Sequence, residues 1–200
     1  APGSSRSIFG KWIRPGMFGD ASGRGPTTGT DSITAAGEAA LAAFDPVLEN
    51  PAIQCSGSSP VWLWGPPGLA TSITEVDGNV VIYHESMDTT RIVHMGVDQH
   101  PDGIEPSEMG HSIGRWEGNT LVIDSARFSA GVLRGSMLHT DQLTLEERLS
   151  VADDSGRLQI LWTAVEPVYY AEPLAGSQEL QSTDQEMMRY DCIVESPQSH

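Results

Sequence analysis

The sequence predicts a mainly β protein, an antiparallel meander closed into a barrel, and three observations carry that prediction. From residue 61 onward, short apolar runs with period-two alternation follow one another along the chain. Turn chemistry separates them, in Asp77-Gly78-Asn79, Gly118-Asn119 and Asp153-Asp154-Ser155-Gly156. Only one stretch reads as a helix.

Residues 1–31 are rich in Gly, Ser, Thr and Pro, with scattered Ile8, Phe9, Trp12, Ile13, Met17 and Phe18, and read as an extended arm rather than a core element. The alanine-rich run 34–44 predicts the helix, entered from Asp31 or Ser32 as cap and stopped by Asp45-Pro46. Strands are predicted at 61–64, 69–76, 80–86, 91–95, 112–117, 120–125, 143–151 and 157–165. A further strand is expected over 185–194, carrying Cys192. About nine strands in meander order leave two open edges, and closure removes them. The expected fold is therefore a calycin- or lipocalin-like barrel with an internal pocket, a single domain over 32–195 followed by a flexible tail at 196–200. A β-sandwich is the alternative.

A chain of 200 residues buries about 70% of its unfolded surface, enough for one sizeable core. Its net charge of −16, from 27 acidic against 11 basic residues, repels phosphate backbones, so nucleic acid is not an expected partner. Lys11 is the sole lysine; the other basic residues are arginines, which suit fixed ion pairs. No apolar run approaches the roughly 20 residues that span a bilayer. The start at Ala1-Pro2-Gly3 fits a mature chain after signal removal, hence a secreted or periplasmic protein. In that setting Cys55 and Cys192 form a disulfide worth about 2–4 kcal/mol; in a cytosolic chain they would be two free thiols.

The stretch 109–124, Met-Gly-His-Ser-Ile-Gly-Arg-Trp-Glu-Gly-Asn-Thr-Leu-Val-Ile-Asp, gathers His111, Arg115, Trp116, Glu117 and Asp124 about one hairpin. Glu147 interrupts the apolar face of Leu143, Leu145, Leu149 and Val151, and Val81, Tyr83 and Glu85 share a face on an earlier strand. Two strands thus each send one acid inward, and a buried carboxylate demands a partner. Arg91 and Arg115 are the natural ones, as ion pairs or as an anion clamp.

Five histidines, His84, His94, His100, His111 and His139, lie in the β region. His100 precedes Pro101, and His111 follows Gly110, whose missing side chain lets the backbone approach a neighbour closely. Ser112 is not read as a nucleophile, because adjacent strand residues point to opposite faces and no Gly-x-Ser-x-Gly elbow is present. Trp64 and Trp162 are expected to line the pocket, with Tyr169-Tyr170 nearby.

The runs Asn50-Pro51-Ala52-Ile53-Gln54-Cys55, Trp64-Gly65-Pro66-Pro67-Gly68, His84-Glu85, His100-Pro101, 109–118 and Glu147-Arg148 resemble a family of exported bacterial proteins that carry a Met-Gly-His-Ser-x-Gly-Arg-Trp-Glu-Gly signature. The resemblance covers most of the chain after residue 30 and implies a small secreted or periplasmic domain without an established activity. It also implies a histidine within 143–147, where this sequence has Thr144.

The function these residues suggest is a cofactor-free lyase, isomerase or hydratase acting on a small, largely apolar molecule in a barrel pocket. His111, His100, Glu85, Arg91 and Glu147 are the expected catalytic set, and Arg115, Tyr83, His139, Trp64 and Trp162 the expected substrate contacts. One alternative is a lipocalin-like carrier that binds without turnover. Another is a metal enzyme using His100, His111 and His139.

Overall fold

The computed structural model describes residues 7–16 and 27–194. Met17, Phe18 and the tail 196–200 lie outside the described residues. Nine strands close a calycin-like barrel: β1 (Gly10–Ile13), β2 (Ala70–Val76), β3 (Asn79–His84), β4 (Thr89–Met95), β5 (His111–Glu117), β6 (Thr120–Ala126), β9 (Thr144–Val151), β10 (Leu158–Val165) and β11 (Leu174–Ser182). A separate hairpin, β7 (Gly131–Arg134) and β8 (Met137–His139), leaves the wall between β6 and β9. The predicted helix is α1 (Ala35–Ala43), capped by Thr34 rather than by Asp31 or Ser32. The Thr34 hydroxyl accepts from the Gly37 N–H at 3.1 Å.

The hairpins form where the sequence supplies positive φ. Asp77 (50°) and Gly78 (77°) both adopt it, and Val76 pairs directly with Asn79. Neighbouring strands are antiparallel except β4 and β5, which run parallel, so the pure antiparallel meander is corrected at that seam. A parallel pair needs a long return connection, and residues 96–110 provide it. Ser107 ties this connection to the far end of β6: its N–H donates to Arg127 O at 3.1 Å, and Ser129 N–H donates to Ser107 O at 2.9 Å.

Three other expectations are corrected. The presumed arm contributes β1, which pairs with both β2 and β11 and so closes the barrel. Its Ile8 and Trp12 are core residues, and Trp12 Nε1 donates to Ile8 O at 2.8 Å. The run 61–64 forms not a strand but a single helical turn, α2 (Pro60–Leu63), because Ser59 caps it and Pro60 occupies its first position. No strand forms over 185–194; the ninth strand is β11. That last segment crosses the wall as a strap, held by the Cys55–Cys192 disulfide and by backbone N–H groups of Met188, Tyr190 and Asp191.

Alternation places two apolar groups inside the barrel. Ile73, Val80, Ile82, Val93, Leu121, Ile123, Leu149, Leu158, Ile160 and Leu180 pack with Ile8, Trp12 and Trp64 toward one end. Leu143, Leu145, Trp162, Ala164 and Leu174 pack with Val61, Phe128 and Leu133 toward the other. Gly176 stands opposite Trp162 on β11, where an added Cβ would lie 2.5 Å from the indole, so glycine makes room for that ring. Trp12→Ala is expected to cost about 3–5 kcal/mol in urea unfolding, the loss of a filled core position. An arm lying on the surface would lose almost nothing, and that result would remove β1 from the core.

Candidate functional site

Between the two apolar groups the barrel carries a buried polar layer. Glu147 on β9 faces inward and forms an ion pair with Arg91 of β4, both side chains almost wholly removed from water. The guanidinium also donates from Nε to Ser112 Oγ at 2.9 Å and from Nη2 to Ser125 Oγ at 3.1 Å, and the two hydroxyls are 2.8 Å apart. Trp64 Nε1 donates to the other oxygen of Glu147 at 2.7 Å. Trp64 is delivered by α2, which is pinned at its start by Ser58 and Ser59: their hydroxyls donate to Val132 O and Leu133 O, each at 2.5 Å. The buried carboxylate is thus satisfied on both oxygens, the condition for leaving it charged. Arg91 Nη1 has no hydrogen-bond partner among the described residues.

His84 belongs to this layer, with Nδ1 2.8 Å from Thr71 Oγ1 and its ring edge-on to Trp64 at 4.9 Å. Burial, with the Arg91 charge adding to it, takes its pKa from 6.5 down to about 3. The imidazole is therefore neutral at pH 7. Because the folded value lies below the unfolded one, the unfolded chain takes up the proton first, and stability is lost as pH falls from 6.5 toward 3. His84→Gln is expected to reduce the pH dependence of unfolding free energy between pH 6 and pH 4 by about 1.4 kcal/mol per unit. An unchanged slope in urea unfolding would contradict a buried, neutral His84.

Three further histidines, His94, His100 and His111, stand outside the wall. His94 and His111 project outward from the parallel seam and stack at 4.8 Å with their planes 8° apart. His100, on the 96–110 connection, meets His111 edge-on, and the two Nδ1 atoms are 2.9 Å apart. One of these nitrogens must carry the proton that joins them. All three rings are half-buried. Burial lowers the pKa of His111, with the His94 and His100 charges adding to it; His100 is lowered by burial, opposed by Asp124. Gly110 sets His111 in place: its φ is 62°, and a Cβ there would lie 2.6 Å from Ala126 O and 2.9 Å from the Phe128 ring.

The seam also opens the wall. Strands β4 and β5 pair only at Val93–Met95 against Ser112–Gly114, and beyond that point a slot of about 650 Å³ opens, lined by Arg91, His94, Glu108, Met109, His111 and Ser112. The stacked imidazoles and the residue Arg91 thus line one hollow.

Several expected site residues lie elsewhere. Glu85 is buried but pairs with no arginine among the described residues: its oxygens accept from the Ala70 N–H at 2.7 Å and the Met188 N–H at 2.6 Å, so it clamps the strap. Tyr83 faces away from the barrel interior, because Val80, Ile82 and His84 are the buried positions of β3. Its hydroxyl donates to Asp88 at 2.8 Å, and burial pushes the phenol up to about 12. Arg115 lies on the outer surface in an exposed lattice with Asp124, Glu117 and Glu146. Trp64 and Trp162 are core residues. His139 is buried edge-on to Phe128, 6.1 Å away, and does not join His100 and His111 as a ligand set. Among the described residues no group of three or more His, Cys, Asp or Glu is arranged to hold a metal ion. No described helix is long and apolar enough to cross a membrane.

Sequence reading missed His94 as part of the cluster and His84 as part of the interior. The outward position of His94 beside His111 follows only from the parallel register. No protein-family model matches the chain, and neither does any curated protein sequence.

Proposed function

We propose that this protein is an acid–base enzyme of the lyase, isomerase or hydratase kind, acting on a small molecule in the wall slot rather than in a central pocket. The observation that carries the reading is the stacked His94 and His111 rings, with His100 joined to His111, beside a hollow that His94, His111 and the buried Arg91 line. With its pKa lowered, His111 is a neutral base at pH 7. The Nδ1-to-Nδ1 contact with His100 gives the pair a proton path: a ring that gains a proton on Nε2 passes one across from Nδ1. Arg91 also lines the slot, with its guanidinium buried in the ion pair with Glu147. The disulfide supports an oxidising compartment, the periplasm or the cell exterior.

Proton abstraction from 5-nitrobenzisoxazole, a generic base-sensitive probe, tests this. Turnover is expected to rise with pH and reach half its plateau below pH 6.5, since the active form is the deprotonated imidazole and its pKa is lowered. His111→Ala is expected to reduce kcat/KM by about 100-fold or more with little change in Tm, because the ring is half-exposed and outside the core. A fully active His111→Ala variant would remove the imidazole cluster from the mechanism.

A further inference from the structure

A second hollow, of about 480 Å³, lies between α1 and the β7–β8 hairpin. Its walls are mostly apolar, from Ala40, Ala43, Phe44, Val132, Leu138 and Tyr169. His139 lies at its floor. The ring is almost completely buried, and its Nδ1 lies 3.0 Å from the Thr140 carbonyl. A carbonyl only accepts, so Nδ1 carries the proton and Nε2 is left as a bare acceptor. That nitrogen has no hydrogen-bond partner among the described residues. An unpaired buried acceptor costs free energy unless something donates to it.

The residue facing that nitrogen is Gly131, which also lines the hollow. Its φ is not in the left-handed region, so its backbone conformation does not require glycine. A Cβ at this position would sit 3.6 Å from His139 Nε2 and 3.9 Å from Cε1, in ordinary contact. Gly131 thus places no side chain against that nitrogen, where a methyl would stand between it and the hollow. Burial also lowers the His139 pKa, which keeps the acceptor available at neutral pH.

We propose that this hollow is a binding site for an apolar small molecule carrying one hydroxyl, a phenol or an alcohol, whose O–H donates to His139 Nε2. The apolar walls take the body of the ligand and the imidazole fixes its orientation, the usual division of labour in such sites. The hollow adjoins the catalytic slot, since Glu108 and Ser129 line both, but it uses neither the imidazole cluster nor Arg91. The proposal therefore stands independently of the reaction assigned to the slot.

Titration with 1-naphthol and with 1-methylnaphthalene, followed by calorimetry, tests it on the full chain. 1-Naphthol is expected to bind roughly three- to tenfold more tightly than the hydrocarbon, the ratio that one hydrogen bond provides. It should also shift the ¹⁵N resonance of His139 Nε2. Gly131→Ala is expected to fold normally, because its methyl makes only ordinary contacts, and to abolish both the preference and the shift while leaving turnover of 5-nitrobenzisoxazole unchanged. Failure of both probes to bind would overturn the proposal. So would a preference for 1-naphthol that survives in Gly131→Ala.

Discussion

Two opposite charges taken out of water inside a barrel must face each other, and Arg91 and Glu147 do so across the polar layer between two apolar groups. Each would be strongly destabilising alone. Together they draw in polar side chains nearby: Ser112 and Ser125 accept from Nε and Nη2 of the guanidinium, and Trp64 donates to the second carboxylate oxygen. That last bond explains why α2 is inserted into the barrel rather than lying on it. It also fixes His84, whose ring packs edge-on to the same indole. The ion pair thus organises elements from β3 to β9.

The pair matters to the site because of where β4 and β5 separate. A parallel pair of so few residues leaves the first half of β4 without a neighbour on that side, and the hollow forms there. Arg91 lies on the unpaired half, and Glu147, Ser112 and Ser125 hold its guanidinium in position without using all its donors. Outside, the same seam brings His94 alongside His111, and the return connection lays His100 against them. One topological irregularity therefore creates both the opening and the imidazole cluster.

Much of this was legible in the sequence, for identifiable reasons. Apolar runs between turn signals mark eight segments, seven of them strands, and the acid at position 147 stands out because it breaks an apolar face that is otherwise complete. Arg91 followed as its partner, since a buried carboxylate requires one. Glu85 misled for the same reason: it is buried, but backbone N–H groups satisfy it, and sequence does not show backbone donors arriving from residue 188. The run 61–64 resembles a strand because four apolar residues have no period of their own; Ser59-Pro60 is the signal that it begins a helical turn. β1 was hidden by its glycine-rich surroundings, and β11 because its Gly176, read locally, weakens a strand, whereas in the barrel it accommodates Trp162. The parallel seam had no local signature, so the grouping of His94 with His111 was out of reach.

A double-mutant cycle on the ion pair tests the central claim most directly. Arg91→Met and Glu147→Met, singly and together, would be compared by urea unfolding. Each single variant strands one buried charge and is expected to lose about 3–5 kcal/mol, whereas the double variant should recover most of that loss, because two apolar side chains replace a matched pair. Losses that simply add would mean that the two charges are stabilised independently, and the pair would no longer account for the interior of the barrel.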